Sequence, residues 1–257
     1  MADGWTRADL VSWAGTLVAG EPDISNGSHG TAADLDQLCR AVTRAVPVSG
    51  AVISLMTHGG PTGIVASSDA VWRDVEELQF ILGEGPCWDA FESGRPVLAE
   101  DVRAGDETRW VGYRAAAIEH GVRAVFAFPL QIHFARVGVM DVYRNSPGGL
   151  DDHSLALILA FAECATALLV DGQEAAGAGE IPSGVDHALG SRFEAYQAQG
   201  MVMVQLGVPL ADAMARLRAY AYANDRTLGQ VARQVVSRSL SFEPEDAASG
   251  TEKGSES

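Results

Sequence analysis

The C-terminal stretch Asp186–Leu240, DHALGSRFEAYQAQGMVMVQLGVPLADAMARLRAYAYANDRTLGQVARQVVSRSL, decides how the chain is organised. It predicts three helices with sharp stops between them. Leu189, Phe193, Tyr196, Gly200 and Val204 follow the three-and-four spacing of one face of the first helix. Gly207 and Pro209 end it, and Pro209 opens the second, where its missing N–H costs nothing. The second helix carries Leu210, Met214, Leu217 and Ala221 on one face. Asn224 suits a left-handed C-cap, and Thr227 an N-cap for the third helix. That helix carries Leu228, Val231 and Val235, with Ala232 and Val236 beside them, and Pro244 limits its continuation. Three helices this short bury little alone. Gly200 inside the first costs about 1 kcal/mol relative to Ala, which predicts a close backbone approach by another element. The plain reading of the apolar stripes is core.

Several pieces of this stretch stand together: Ser191-Arg192, Gln197-Ala198, Gly200-Met201, Leu217-Arg218, and Leu228 with Val231-Ala232. In this combination the three helices resemble the ANTAR domain of bacterial transcription antitermination regulators. Where that family commonly has Ala-Lys-Gly, this chain has Ala198-Gln199-Gly200.

The chain has 257 residues, 47% apolar and 20% charged, which fits a globular protein of one or two domains. Its formal charge of −16 argues against nucleic-acid or anionic-membrane binding by the surface as a whole. The charge is uneven. Residues 186–240 hold six Arg against four acids and are the net-basic region, residues 1–185 hold 11 basic against 25 acidic residues, and residues 243–257 hold one Lys against five acids. An excess of two is well short of a strongly basic nucleic-acid face. Of 18 basic residues, all but Lys253 are Arg, which suits phosphate and base stacking. Cys39, Cys87 and Cys164 are an odd, widely spaced set without a CxxC, which predicts a reducing, cytoplasmic setting. No signal peptide is read at the N-terminus. The most apolar run, Leu155–Val170, has 16 residues and contains Glu163 and Thr166, too short and polar for a membrane span.

Along the chain, Trp5–Val18 predicts a short amphipathic helix in a leader that ends with a Gly-rich linker over residues 20–30. Thr31 or Asp34 caps a helix holding Leu35, Leu38, Cys39, Val42 and Val46. Strands follow at Val48–Thr57 and Ile64–Ser67, with a helix over Val71–Phe80. Gly83 and Gly85 form a loop, and Pro86 starts a short helix that ends at Gly94. A strand at Pro96–Ala99, a helix at Trp110–His120, an antiparallel pair at Val122–Leu130 and Phe134–Tyr143, and a helix at Ser154–Val170 capped by Asp151 complete the region. This order predicts an α+β domain, an antiparallel sheet with helices on its faces, followed by the all-α three-helix domain. The stretches GEGPCWDAF, SGRPVLAEDV, GVRAVFAFPL and VGVMDVYR resemble a GAF domain, of the kind joined to ANTAR domains in actinobacteria. The expected division is a leader over 1–30, the GAF sensor over 31–172, a linker over 173–185, the ANTAR domain over 186–242, and an acidic disordered tail over 243–257.

Cys87 sits at a helix start, where a thiol pKa can fall. The functional readings are a redox switch or cofactor attachment; the plainer one is a small, half-buried structural residue, with neither a resolving Cys nor a basic side chain next to it in sequence. The residue after it is Trp88, not the His usual in chromophore-bearing relatives. GEGPCW lacks the third glycine of a dinucleotide loop. His120, His133 and His153 have no metal-ligand spacing, so no metal and no cofactor is expected. Among Glu84, Glu100 and Asp101, the adjacent pair Glu100-Asp101 reads as a solvated turn, and no nucleophile–base signature marks an enzyme. Trp72, Phe80, Trp88, Trp110 and Phe126 are candidates to line a small-molecule pocket, with plain core the commoner role; no residue identifies the ligand.

In the C-terminal region Arg192, Tyr196, Arg216, Arg218, Tyr220, Tyr222, Arg226 and Arg233 are the candidate RNA-facing side chains, because unpaired bases stack on aromatic and guanidinium planes. Residue chemistry alone favours solvated Arg and core Tyr. The resemblance puts RNA first, adds Gln199 and Gly200, and implies binding of hairpin loops in nascent RNA. Arg218 is the leading single candidate. A homodimer is expected from the several apolar faces of Ser154–Val170, with the N-terminal helices at the interface. The alternative of another class is a dimeric protein-interaction module whose C-terminal helices dock a protein.

Overall fold

The computed structural model describes residues 5–22, 30–57, 60–104, 108–177, 185–224 and 226–242. The side chains of residues 60–62, 186–193 and 211 are outside that description, as is the acidic tail expected to be disordered and most of the expected linker. The chain divides into two compact units, Met1–Arg192 and Phe193–Ser257.

In the first unit the elements run α1 (Arg7–Ala19), α2 (Thr31–Ala45), β1 (Gly50–Thr57), β2 (Gly60–Ser67), α3 (Ala70–Leu82), α4 (Pro86–Ser93), β3 (Val97–Ala99), α5 (Val111–Glu119), β4 (Ala124–Ile132), β5 (Ala135–Arg144) and α6 (Asp152–Ala176). The five strands form one antiparallel sheet in the order β2-β1-β5-β4-β3. Strand side chains alternate between faces. Ala51, Ile53, Phe126, Phe128, Met140 and Val142 point to one face, where α2 and α6 cover them and α1 packs on those two helices. Val52, Met56, Val125, Ala127, Val139 and Tyr143 point to the other, under α3, α4 and α5.

The local signals behave as their chemistry dictates. Asp69 caps α3, accepting from the amides of Val71 and Trp72, and Asp151 caps α6, accepting from Ser154 N at 2.7 Å. Gly83 and Gly94 end α3 and α4 in the left-handed conformation. α2 differs from expectation: Gly30 holds the cap position, no side chain caps it, and Thr31 is its first residue, buried at 8% exposure. α6 runs 25 residues, well beyond the 16 of its apolar run, and among the described residues it is the one helix long and apolar enough to cross a membrane. In this fold it packs between α1, α2 and β4. The helix α1 covers one of its apolar faces within the same chain, joined by an Arg7–Glu163 ion pair.

The second unit holds most of α7 (Asp186–Leu206), then α8 (Leu210–Ala223) and α9 (Leu228–Val236). Thr227 caps α9 in a reciprocal box with Gln230. Gly207 ends α7 at φ 66, and Pro209 occupies the N-cap of α8. Asn224, expected left-handed, has φ −112; its side chain instead donates to Tyr220 O at 2.8 Å. The buried face of α7 is Ala195, Ala198 and Val202, while Tyr196 and Val204 are exposed. The helix turns Ala195, Ala198 and Val202 inward, a face nearly opposite the stripe read in the sequence. Gly200 correspondingly has open space where a Cβ would stand, so no described element requires glycine there.

Gly138 is different. Its partner in β1 is Leu55, and a Cβ on Gly138 would run into the Ser54 carbonyl oxygen, which is backbone and cannot swing away. Gly50 faces the Trp72 ring in the same way: a Cβ would meet the base of a buried indole stacked on Tyr143, which has no flexible end to swing away. Gly138→Ala and Gly50→Ala are each expected to destabilise the chain by about 3 kcal/mol, the upper end of overpacking costs, read as shifts of the denaturation midpoint.

Candidate functional site

The apolar alternation on the α3–α5 face is broken by one polar cluster. Glu76 and Gln79, one turn apart in α3, are both fully buried. The Glu76 carboxylate accepts from Ser54 Oγ at 2.9 Å, from Gln79 Nε2 at 3.0 Å, and from the Tyr143 hydroxyl. Gln79 Nε2 also reaches Tyr143 Oη at 3.1 Å, and Gln79 Oε1 accepts from Cys87 N at 2.9 Å. Trp72 stacks on Tyr143 with ring centroids 5.2 Å apart and lies in the space that Gly50 leaves.

The LGEGPCW loop builds the other half. Gly83 ends α3. Glu84 Oε1 accepts from Gly112 N at 2.7 Å and Tyr113 N at 3.0 Å, so it caps α5 in place of a cap side chain that Trp110 lacks. Gly85 has φ 144, and a Cβ there would collide with Gln79 Oε1. Pro86 opens α4, Cys87 points inward at 0% exposure, and Trp88 Nε1 donates to Gln79 O at 3.0 Å.

Asp141, in the middle of β5 opposite Val52 and Ala127, is also fully buried. Gln79 lies near Asp141 and Tyr143 near Tyr113, yet neither carboxylate oxygen of Asp141 nor the buried Tyr113 hydroxyl has a partner at hydrogen-bond geometry among the described residues. Ligating atoms of Glu76, Cys87 and Asp141 all lie within 4.8 Å of one another. Burial pushes the Asp141 carboxyl well above the usual carboxylate range, and the Glu76 charge pushes it further; the nearby Gln79 amide opposes this only in part. Glu76 is raised by burial against the hydrogen bonds of Tyr143, Ser54 and Gln79. The Cys87 thiol is raised by burial and by the same carboxylates, so it holds its proton and is a poor nucleophile. The redox-switch reading of Cys87 gains nothing here, since Cys39 and Cys164 belong to the opposite face of the sheet.

Other candidates separate. Phe126 lies on the α6 face, apart from Trp72 and Phe80, so the five aromatics do not line one cavity. Asp101 pairs with Arg123 at 3.1 Å rather than with exposed Glu100. His120 sits at the end of α5, with Nδ1 2.8 Å from Ala116 O, His133 in the β4–β5 turn, and His153 exposed in the first turn of α6.

In the second unit, Arg226 and Arg233 line one groove with Asn224, Gln230 and Gln234. Arg226 Nη1 donates to Gln234 Oε1 at 2.6 Å, and Arg233 faces Glu194 at 3.7 Å. Tyr196 and Tyr222 are about half exposed. Arg216 is exposed, Arg218 half-buried, and Tyr220 packs edge-on against Phe242 at 5.4 Å. Gln199 Nε2 donates to Leu210 O at 2.7 Å, beside half-buried Gly200. The Arg192 side chain lies outside the described residues.

Glu76, Gln79, Tyr113, Asp141 and Tyr143 were not singled out by the sequence reading. The signal existed: Glu76 and Gln79 interrupt the apolar face formed by Trp72, Val75 and Phe80, and Asp141 interrupts an inward strand position in VGVMDVY.

The family profile described as GAF domain matches residues 32–170, and that of the ANTAR domain matches residues 185–236. No curated protein matches the chain significantly. Among solved structures, the GAF domain of an Acinetobacter phosphoenolpyruvate-protein phosphotransferase is 14% identical, covering 66% of this chain and 96% of that one with a TM-score of 0.48. The GAF region of a Geobacter sulfurreducens membrane protein is 16% identical, covering 55% and 93%, with a TM-score of 0.46. The free methionine-R-sulfoxide reductase of Neisseria meningitidis is 18% identical, covering 66% and 91%, with a TM-score of 0.43.

Burial orders the three thiols. An uncharged alkylating reagent on the native protein is expected to modify half-exposed Cys164 first, with Cys39 and Cys87 protected until unfolding; peptide mass spectrometry reads the order. Early modification of Cys87 would return it to the reactive class.

Proposed function

We propose that this chain, which belongs to the GAF domain family and carries an ANTAR domain behind it, is a cytoplasmic, non-catalytic regulator that binds hairpin loops of nascent RNA and favours antitermination. GAF domains are sensory modules and ANTAR domains RNA-binding ones. The division follows the sequence: leader 1–30, sensor 31–172, linker 173–185, RNA-binding domain 186–242 and acidic tail 243–257. The pairing with an actinobacterial regulator is part of the same proposal, as is an unidentified small-molecule ligand of the sensor.

One observation carries the reading. The segment matched as ANTAR lies in the net-basic stretch of an otherwise acidic chain, and Arg226 and Arg233 meet there on one groove. Arg192, Arg216 and Arg218, with Tyr196, Tyr220 and Tyr222, are the further proposed contacts, and Gln199 and Gly200 the proposed closest approach to a phosphate. A second reading, docking of a protein partner, is favoured by Gln199 and Arg233: the Gln199 amide is engaged by Leu210 O and Arg233 by Glu194.

The test starts from cellular RNA crosslinked to the purified chain, followed by a salt titration with the recovered hairpin. Arg226→Ala and Arg233→Ala should each weaken binding and flatten the log affinity against log salt slope by about 0.7, the increment for one phosphate contact on single-stranded RNA. Gln199→Lys should steepen it by about the same amount. Identical affinities and slopes in all variants would hand the C-terminal helices to the protein-docking reading.

The proposed homodimer uses the outer surface of α1 and α6, where Trp5 and Leu159 remain exposed. Sedimentation at micromolar concentration should give twice the chain mass of 27.0 kDa. A single monomeric species would remove the dimer from the scheme.

A further inference from the structure

We infer that Glu76, Cys87 and Asp141 form a buried binding site for a divalent metal ion of the zinc type, set between β5, α3 and α4. The three ligating atoms lie within 4.8 Å of one another, and all three residues are fully buried. Tetrahedral zinc, with bonds of about 2.0–2.3 Å, holds its ligands roughly 3.3–3.7 Å apart. Side-chain rotations of about an ångström close that gap.

A second observation points to a missing occupant. Both Asp141 oxygens and the Tyr113 hydroxyl are buried without a partner among the described residues. Buried polar groups left unsatisfied are uncommon, and each calls for an explanation. Among the described residues no Arg or Lys is ion-paired with either carboxylate. Two buried carboxylates this close repel unless something positive stands between them. A divalent cation offsets both carboxylate charges, leaving one net negative charge when Cys87 donates as thiolate.

The donor set selects the class of ion. One thiolate sulfur and two carboxylate oxygens suit zinc and its late first-row neighbours; calcium and magnesium take oxygen ligands. The shell behind the ligands is already built. Ser54, Gln79 and Tyr143 fix the Glu76 carboxylate, and Gln79 Oε1 holds the Cys87 backbone amide. Such outer hydrogen bonds orient ligands and tune the bound ion. Three protein donors leave a fourth position, and the neighbouring Tyr113 hydroxyl is the protein group available for it. On binding, the Cys87 proton and the proton that burial keeps on the carboxyl pair leave to solvent, and the sulfur donates as thiolate. The site is independent of the RNA reading, so failure of either leaves the other standing.

The test uses the full chain, stripped with a chelator and titrated with Zn²⁺ and with Co²⁺ as a spectroscopic stand-in. One equivalent per chain is expected, with a thiolate-to-cobalt charge-transfer band. Cys87→Ser should abolish that band, whereas Cys39→Ser and Cys164→Ser keep it. Asp141→Asn should weaken Zn²⁺ binding by about 100-fold or more, and Ser54→Ala by about tenfold. Because Asp141→Asn removes a buried carboxyl, its metal-free form should fold at least as well as wild type by circular dichroism, which separates lost binding from lost fold. A wild-type chain that takes up no stoichiometric metal, a band that survives Cys87→Ser, or undiminished binding by Asp141→Asn would each overturn the site and leave a proton-sharing carboxyl pair in its place.

Discussion

A sheet that is apolar on both faces must be covered on both faces, and the first unit is arranged around that requirement. Burying one apolar side chain is worth about 1.5–3 kcal/mol, so a strand such as β5, with Met140 and Val142 on one side and Val139 and Tyr143 on the other, strongly favours a three-layer arrangement. The two covers are built differently. The α1–α2–α6 side is a continuous apolar interface reinforced by one long helix. On the α3–α5 side three short helices are held together partly by polar bonds, because none is long enough to cover the sheet alone.

Those polar bonds converge on a few atoms. Gln79 alone ties Glu76, Tyr143, the Cys87 amide and the Trp88 indole, so α3, α4 and β5 share one residue. Glu84 joins α5 to the same assembly through its first amides. In a low-dielectric interior such a network is rigid while satisfied and costly where incomplete. The incomplete part is Asp141 with Tyr113, and it adjoins the satisfied part directly. Whatever neutralises Asp141, a proton or a cation, acts on groups that position three helices at once.

The sequence made the scaffold legible where side-chain chemistry acts locally. Thr227 with Gln230, Asp69, Asp151, Gly83 and Gly94 mark element ends by bonds formed within a few residues, and the strand alternation around Ile53 and Met140 is a period of two that long-range contacts cannot alter. Sites assembled across the fold were less legible. Glu76, Cys87 and Asp141 are separated by 11 and 54 positions, and only the sheet register and the Gly83–Gly85 turn bring them together. The α7 stripe was placed on nearly the opposite side because two of the three inward residues, Ala195 and Ala198, are alanines, which a hydrophobicity pattern underweights beside Tyr196 and Val204. Gly200 looked like a packing requirement only while that stripe was thought to face inward. For the RNA candidates the residue chemistry was visible, yet nothing in spacing told Arg226, on the open groove, from half-buried Arg218.

Charge limits how the second unit could hold RNA. Residues 186–240 have an excess of only two positive charges, and residues 1–185 have an excess of 14 negative ones. At physiological ionic strength the Debye length is about 8 Å, which screens the long-range repulsion of a polyanion by the acidic chain, whereas at low salt that repulsion slows its approach. Few phosphate contacts mean a shallow salt dependence and little non-specific binding. The remaining affinity must then come from stacking, worth about 1–3 kcal/mol per base, for which half-exposed Tyr196 and Tyr222 offer surfaces. Stacking needs bases that are already unpaired. Under the proposed RNA reading, a weakly basic, tyrosine-bearing helical unit of this kind would discriminate loops from duplex by what it lacks in charge as much as by what it presents.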